Sequence, residues 1–273
     1  MPVKKLLPVL LLVCVACSYA SDATKPPGDN FDLTHWKLTL PVDASGTTDG
    51  KAAEIQAPQL AAGYTNANYF FTGASGTMVF WCPVNGATTE QARFPRSELR
   101  EMFDPADVSL NWTARGTHLL EAQCRVTEVP SSQKVIIGQI HSYSGKAKPL
   151  IKLQFYKGRI EALVKVSPQD GQDRKLVFPD VGLHNDIVYQ IRLQDGLLSV
   201  TVNGMTQTEN IFENDADWAN QTFYFKAGAY CQDNQGPESE GARISFSRLE
   251  VSHAASPMPA RERSSHNSTK TEQ

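Results

Sequence analysis

A run of alternating charges, Arg96-Ser97-Glu98-Leu99-Arg100-Glu101, contains the residue types in this sequence that are best suited to chemistry. On a β-strand successive side chains point to opposite faces, so Arg96, Glu98 and Arg100 share one face. A guanidinium binds a carboxylate or a phosphate through two parallel hydrogen bonds, and a carboxylate between two arginines holds them in place. The run therefore predicts a site for an anionic ligand, with a solvated, salt-bridged strand face as the alternative.

Two further stretches place reactive side chains on one face of a strand. In Gly138-Gln139-Ile140-His141 the amide and the imidazole point the same way, while the isoleucine points into the core. From residue 224 to residue 232, Tyr224, Lys226, Gly228, Tyr230 and Gln232 form a polar face, backed by Phe225, Ala227, Ala229 and Cys231. A single histidine or tyrosine on a strand is more often structural, but three such faces together are harder to explain as ordinary surface.

Together these groups fit β-elimination on a polymer of uronic acids. The C5 proton beside the sugar carboxylate is too weakly acidic to remove at neutral pH unless the carboxylate charge is neutralised. An arginine and the amide of Gln139 would neutralise it, and His141 and a tyrosine would serve as the base and the acid, in either order. We expect Lys226, Arg96 and Arg100 to favour the phenolate that a tyrosine base requires. The scheme needs no metal or other cofactor, and the sequence shows no carboxylate cluster that would bind one.

The segments that must position these residues have the pattern of short β-strands. The predicted strands span residues 36–41, 69–72, 77–81, 96–101, 117–129, 134–141, 150–156, 159–166, 187–193, 197–202, 205–208, 223–232 and 243–251. Turn-forming pairs such as Asp195-Gly196 separate many of them. Helical periodicity never exceeds about two turns, and residues 214–220 are predicted to form one short helical turn. The pattern predicts an all-β sandwich or jelly roll of antiparallel strands.

The composition is that of one ordinary globular domain. The chain has 273 residues, of which 41% are hydrophobic, and this is enough for one β-sandwich with a substantial core. The net charge of −3 argues against nucleic acid as a partner, but a local basic groove could still bind an acidic ligand. We divide the chain into a signal peptide (1–20), a linker (21–30), the sandwich domain (31–252) and a disordered polar tail (253–273).

The N-terminus predicts export from the cytoplasm. Lys4 and Lys5 precede an apolar segment from Leu6 to Ala16 that is too short to span a bilayer comfortably. Ser18-Tyr19-Ala20 fits the small residues of a cleavage site. We therefore expect a secreted protein, with lipoprotein anchoring through Cys17 as the less favoured alternative.

Three cysteines remain after the predicted cleavage, at positions 82, 124 and 231. An odd number permits at most one disulfide, and the spacing of Cys82, Cys124 and Cys231 matches no metal site. Burial of one or more cysteines as small apolar residues is at least as good an explanation.

Several stretches resemble the polysaccharide lyase family 7 alginate lyases. The three functional stretches match the family's signature blocks in order and in separation: Arg-Ser-Glu-Leu-Arg-Glu (96–101), Gln-Ile-His (139–141) and Tyr-Phe-Lys-Ala-Gly-Ala-Tyr-Cys-Gln (224–232). Residues 36–41 and 80–84 are also similar to the family. The resemblance extends over residues 31–252.

The resemblance implies a β-jelly roll with a groove across one sheet, and endolytic cleavage of alginate that leaves a 4,5-unsaturated uronate at the new non-reducing end. It implies that His141 and Tyr230 transfer the protons, with Tyr230 as the acid or as both acid and base. It also implies that Gln139 and Arg96 neutralise the carboxylate, with Arg100 as the alternative arginine for this role. Binding or bracing roles fall to Arg100, Glu98, Lys226, Tyr224 and Gln232.

The same resemblance bears on the substrate. Ile140 in Gln-Ile-His is the variant associated with guluronate-containing substrate, where valine is associated with polymannuronate. Because Ile140 is predicted to face the core, it would act only by shifting its neighbours. The expected partner is alginate or a related acidic polysaccharide, bound by a monomer that has no membrane span.

Two other functions are compatible with the sequence. A glycoside hydrolase on a similar sandwich would need two carboxylates facing the same bond, whereas Glu98 and Glu101 are three apart on a strand and lie on opposite faces. A non-catalytic carbohydrate-binding protein would need exposed aromatic residues in a groove and would not need His141. The tryptophans are scattered along the chain, and Trp36 and Trp81 are predicted to be core residues.

Overall fold

The computed structural model of the chain describes residues 21–256, apart from residues 91, 144, 146, 147 and 170. The predicted signal peptide, including Cys17, and the part of the predicted tail beyond residue 256 lie outside the described residues. Three short α-helices are present: α1 (Pro27–Asn30), α2 (Ala57–Ala61) and α3 (Ile211–Asn214). A 3-10 helix at Ala216–Asn220 follows α3. Within the described residues no helix is long and apolar enough to cross a membrane.

Strands make up the rest of the regular structure. They are β1 (Trp36–Thr39), β2 (Glu54–Ile55), β3 (Phe70–Thr72), β4 (Met78–Pro83), β5 (Arg96–Glu101), β6 (Trp112–Thr113), β7 (Thr117–Glu128), β8 (Lys134–Ser142), β9 (Ile151–Tyr156), β10 (Ile160–Lys165), β11 (Asp173–Phe178), β12 (Ile187–Gln194), β13 (Leu197–Val202), β14 (Met205–Asn210), β15 (Thr222–Cys231) and β16 (Gly241–Ala254).

Two antiparallel sheets pack face to face around one hydrophobic core. The first sheet has the order β11-β10-β9-β8-β15-β5-β1-β2, with β6 attached to β15. The second sheet has the order β14-β13-β12-β7-β16-β4-β3. Apolar side chains from the inner faces of both sheets form a single buried cluster. The predicted all-β jelly-roll sandwich is thereby confirmed.

Strict alternation of side chains explains why these segments form a sandwich. In β7 every second residue is buried, namely His118, Leu120, Ala122, Cys124 and Val126, and the residues between them are partly or fully exposed. One face of the strand therefore covers the core while the other meets solvent, as expected for an antiparallel sheet.

The three strands that were predicted to carry the site are neighbours in the first sheet, where β15 lies between β8 and β5. Lys226 of β15 stands opposite Gln139 of β8 on one side and opposite Arg100 of β5 on the other. Tyr224 is likewise paired with His141. Residues that are far apart in the chain are thus brought into adjacent rows.

The buried carboxylate of Glu101, at the end of β5, forms hydrogen bonds to residues of both sheets. Its Oε2 accepts hydrogen bonds from Trp112 Nε1 at 2.9 Å and from the backbone N–H of Phe225 at 2.8 Å. Its Oε1 lies 2.6 Å from Nε2 of His253 on β16. Glu98 and Glu101 therefore serve opposite faces of β5, as the alternation predicted.

Three strands, β2, β6 and β11, were not predicted, and several boundaries differ. Strands β2 and β6 have two residues each, too few to show alternation. The first half of the edge strand β11 is exposed and charged, so it lacks the apolar pattern of a strand. The predicted linker contains α1, and β16 continues to Ala254, two residues beyond the predicted domain boundary. Trp81 is only partly buried, since it lies on the outer face beneath the Arg243 guanidinium, 4.7 Å from its ring centroid.

A β-bulge marks the part of β15 that precedes Tyr230. Between the pairs Ala227–Gly138 and Tyr230–Ile136, the register advances three residues along β15 and two along β8, while the pairing with β5 stays continuous. Gly228 within the bulge has a φ of +143°. This conformation is readily adopted only by glycine.

We expect Gly228→Ala to lower the free energy of unfolding by about 2–4 kcal/mol. The added Cβ would lie 2.7 Å from the carbonyl oxygen of Ser97 and 2.8 Å from Cα of Glu98, and neither backbone atom can move away cheaply. Gly171→Ala is the matched control, because a Cβ at that position meets no atom within 4 Å. Urea unfolding followed by tryptophan fluorescence measures both variants. Equal midpoints for the two variants would contradict this account.

Candidate active site

A groove of about 720 Å³ crosses the first sheet above β1, β5, β15, β8 and β9. It is lined by nearly all the predicted site residues: Arg96, Arg100, Gln139, His141, Tyr224, Lys226, Tyr230 and Gln232. Among its described lining residues, seven are cationic and one, Glu54, is a carboxylate; the cations are Lys37, Arg93, Arg96, Arg100, Lys148, Lys152 and Lys226. Such a surface attracts and retains an anionic ligand although the whole chain is slightly negative.

Glu98 lies beneath the groove and is fully buried. Its Oε2 is 2.5 Å from Nζ of Lys226 and 3.2 Å from Nη1 of Arg96. Its Oε1 accepts a hydrogen bond of 2.5 Å from Nε2 of Gln139. Burial alone would raise the pKa of Glu98, but the charges of Lys226 and Arg96 lower it below its ordinary value. The carboxylate therefore stays ionised and braces the site rather than reaching a ligand.

Lys226 is the partner of Glu98 on the central strand. Burial, together with the positive charge of Arg96, lowers the pKa of Lys226 to about 8, although the Glu98 carboxylate opposes this shift. The ammonium is therefore still charged at neutral pH. It supplies positive charge to the middle of the groove floor.

Arg100 is held almost entirely by the protein. Its guanidinium lies 4.0 Å from the ring centroid of Tyr224. Its Nη1 and Nη2 groups donate to four acceptors at 3.0–3.1 Å: the carbonyl oxygens of Glu101 and Val108, Sδ of Met102 and Oδ1 of Asn111. These bonds leave the guanidinium few donors for a ligand, and the residue is only 5% exposed.

Arg96 is engaged less completely than Arg100. Its guanidinium lies 3.8 Å from the ring centroid of Tyr230, and its Nη1 contacts Glu98. Its Nε–H is buried and has no hydrogen-bond partner within the part of the chain that the structure describes. Arg96 lines the groove and, with one guanidinium hydrogen bond to Glu98 against four made by Arg100, has more donors left for an anion.

His141 is oriented by a backbone carbonyl and by an aromatic neighbour. Its ring stacks on Tyr224 with centroids 5.4 Å apart, and its Nδ1 is 2.7 Å from the carbonyl oxygen of Ser142. A carbonyl only accepts hydrogen bonds, so Nδ1 carries the proton and Nε2 has the free lone pair. Burial, together with the charge of Lys226, lowers the pKa of His141 to about 4. The imidazole is neutral at neutral pH and able to accept a proton at Nε2.

The pKa values of Tyr230 and Tyr224 are raised, whereas a phenolate would require them to be lowered. Burial raises the pKa of Tyr230 above its ordinary value, although Arg96 acts in the opposite direction. Burial likewise raises the pKa of Tyr224 against the effect of Arg100. The neighbouring cations act in the expected direction, but desolvation outweighs them, so the net shift disfavours the phenolate. At neutral pH both phenols remain protonated, and Tyr230 is suited to donate a proton.

Several groove residues were not predicted from the sequence. Lys37 and Thr39 of β1 line the groove beside β5, and Lys37 is paired with Arg100. Their alternation with apolar residues was visible in the sequence, but nothing local showed that β1 pairs with β5. Four further residues come from loops or from β9: Arg93, Tyr143, Lys148 and Lys152. Within the described residues, no group of histidine, cysteine or acidic residues is arranged to hold a metal ion.

We expect the His141 imidazole to remain neutral between about pH 5.5 and pH 8, where an ordinary histidine titrates. The reason is its burial next to Lys226, which lowers the pKa to about 4. The measurement is an NMR titration of the histidine ring protons, with the His141 signal assigned as the one that is missing from His141→Gln. A midpoint near 6.5 for that signal would contradict the proposed environment.

Comparison with known proteins places these features in a family. A family model described as alginate lyase matches residues 31–253. An alginate lyase from Klebsiella pneumoniae is 30% identical over 297 residues, covering 89% of this chain and 96% of that protein. An alginate lyase from Pseudomonas aeruginosa of known structure is 42% identical, with a TM-score of 0.74 over 82% of this chain and 100% of that chain.

A further solved structure is that of alginate lyase A1-II′, a member of polysaccharide lyase family 7. It is 40% identical, with a TM-score of 0.78 over 84% of this chain and 99% of that chain. The same lyase has been solved with the substrate GGMG, in a variant that has one histidine replaced by asparagine and one tyrosine by phenylalanine. On the match over residues 31–253 and these identities, the chain belongs to the polysaccharide lyase family 7 alginate lyases.

Proposed function

We propose that the protein cleaves the 1,4-glycosidic bonds of alginate within the polymer by β-elimination. The observation that carries this proposal is that one cationic groove holds a neutral histidine with a free Nε2, a protonated tyrosine and an arginine whose guanidinium makes one hydrogen bond to the protein, to Glu98. These are the base, the acid and the carboxylate-binding group that elimination next to a uronate requires.

In the proposed reaction the carboxylate of the uronate binds Arg96 and the second amide N–H of Gln139, whose first N–H is bonded to Glu98. This contact stabilises the negative charge that develops when the C5 proton leaves. Nε2 of His141 takes that proton, and the electrons of the C5–H bond are delocalised into the neutralised carboxylate. These electrons form the double bond between C4 and C5 as the C4–O4 bond breaks, and Tyr230 gives its proton to the departing O4. Water restores both side chains.

The products follow from these bond changes. One fragment carries a 4,5-unsaturated uronate at its non-reducing end, and the other keeps the former bridging oxygen as the C1 hydroxyl of a new reducing end. Because the groove runs across the sheet over five strands, it is suited to bind the interior of a polymer, which supports endolytic cleavage.

We propose further that guluronate-containing blocks are preferred. Ile140 of the Gln-Ile-His stretch supports this, as does the 39% identity to A1-II′, which binds GGMG. Ile140 is fully buried and is paired with Phe225 and Ile151, so it can influence the substrate only through the positions of Gln139 and His141.

Secretion and a monomeric state complete the proposal. The basic, apolar and small-residue segments of residues 4–20 support secretion. The monomer is supported by a site whose proposed residues all come from one chain.

We expect ultraviolet absorbance to rise with time when the purified protein is mixed with polyguluronate or polymannuronate, and to rise faster with polyguluronate. The double bond conjugated to the carboxylate absorbs, whereas hydrolysis products do not. The assay includes EDTA, and a neutral β-glucan serves as the substrate control. New reducing ends without absorbance would indicate a hydrolase, and retention on an alginate column without either signal would indicate a binding protein.

A matched pair of tyrosine variants tests the acid. Tyr230→Phe removes the proton donor, and the expected loss in kcat is about 10²–10⁴-fold. Tyr156→Phe is the control, because Tyr156 also lies beside cations, Lys134 and Arg159, but does not line the groove. If both variants kept full activity, Tyr230 would not be the acid.

We expect Arg96→Gln and Arg100→Gln to act on different properties. Arg96→Gln removes the proposed carboxylate ligand and should lower kcat by about 100-fold or more. Arg100→Gln leaves buried acceptors unpaired. It should therefore lower the melting temperature more than Arg96→Gln does, and lower kcat less. Steady-state kinetics and thermal unfolding on both variants separate the two roles. The reverse order of effects on kcat would assign the carboxylate to Arg100.

A further inference from the structure

Two buried cysteines from opposite sheets meet behind the active-site strand. Cys82 lies on β4 in the second sheet, and Cys231 is the last residue of β15 in the first sheet. Both side chains are completely buried in the shared core. Strand β4 packs directly against β15 in this part of the core, since a Cβ on Gly228 would lie 3.3 Å from Cδ1 of Phe80. The Cys82 and Cys231 side chains are close enough to influence each other's ionisation. The two cysteines are therefore neighbours across the sandwich.

The third cysteine has different surroundings. Cys124 lies on β7, where it is paired with Ile187 of β12 on one side and with Phe246 of β16 on the other. It is also completely inaccessible, and burial raises the pKa of its thiol. The odd number of cysteines thus divides into one neighbouring pair and one separate apolar residue.

We propose that Cys82 and Cys231 become joined by a disulfide bond when the chain folds in the presence of a small-molecule disulfide such as oxidised glutathione. In the first exchange the Cys231 thiolate attacks one sulfur of that disulfide and releases one thiolate. The Cys82 thiolate then attacks the mixed disulfide at Cys231 and releases the second. The two cysteines are oxidised by two electrons, the glutathione disulfide is reduced to two thiols, and those thiols take up the two cysteine protons.

The order of folding and oxidation follows from burial. Neither thiol is accessible in the folded chain, so exchange takes place before the two sheets close over the pair. Once formed, the bond is shielded from thiol reductants by the same core. The predicted export of the chain would bring it to a compartment in which disulfides persist.

The cross-link would be placed where it can hold the catalytic strand. Cys231 directly follows Tyr230 and precedes Gln232, and both of these residues line the groove. The bond would tie this end of β15 to β4 and would close a loop running from residue 82 to residue 231. Closing so long a loop restricts the unfolded chain strongly, and this is the main source of stabilisation by disulfides in the chain-entropy model. The inference does not depend on the proposed lyase activity.

The test uses the full chain carrying Cys14→Ser and Cys17→Ser, so that the three cysteines of the domain remain. The protein is refolded in a mixture of oxidised and reduced glutathione and then unfolded for analysis. We expect one free thiol per chain in place of three, a mass lower by two hydrogen atoms, and a proteolytic fragment that links Cys82 to Cys231. Three free thiols, a glutathione adduct, or a link that includes Cys124 would each overturn the proposal.

Thermal unfolding provides a second measurement with a matched control. We expect the oxidised protein to melt roughly 5–10 °C above the same protein treated with a reductant. Cys124→Ala should preserve this difference, while Cys82→Ala and Cys231→Ala should each abolish it. An oxidation-dependent shift that persists in Cys82→Ala would show that another bond is responsible, and the proposal would fail.

Discussion

The ionised carboxylate of Glu98, buried under the groove, is the interaction on which the site depends. Removing a carboxylate from water costs several kcal/mol, and the cost is offset only when charged and hydrogen-bonding partners surround it closely. Here the partners come from three adjacent strands: Arg96 on the same strand, Lys226 on β15 and Gln139 on β8. A shift of any one strand by a residue would leave a buried charge unpaired. The electrostatics of one side chain thus enforce the register that aligns the proposed acid, base and anion ligand.

Burial also shifts the pKa values of the two proposed proton-transfer groups, in opposite directions. A low-polarity environment disfavours the charged form of any group, so it lowers the pKa of His141 and raises that of Tyr230. Both side chains are therefore neutral near neutral pH, one with a lone pair to accept a proton and the other with a proton to donate. The neighbouring cations add to the shift of His141 and only partly offset that of Tyr230, and they remain available for the substrate carboxylate. One groove can provide an acid and a base because a phenol and an imidazole respond oppositely to desolvation.

Much of this arrangement was predictable from alternation alone. The faces of β5 and β15 follow directly from the period-two pattern, and Leu99, Phe225, Ala227 and Ala229 are indeed in the core. Other features depend on contacts between distant segments, which no local pattern specifies. Arg100 is engaged by acceptors from the loop that contains Val108 and Asn111, and only the folded structure distinguishes it from Arg96. The protonated state of Tyr230 could not be predicted for a related reason: charges are visible in a sequence, but the depth of burial is not.

The strand order has a consequence for how the chain reaches its folded state. The centre of the first sheet is β15 and the centre of the second includes β16, the last two strands of the chain. Each pairs with segments more than 80 residues earlier, such as Lys226 with Gln139 and Ser252 with Leu119. Contacts of such long range form slowly, and neither sheet is continuous without them. During synthesis the first two hundred residues therefore lack their central strands, and the nascent chain stays open until almost all of it has been made.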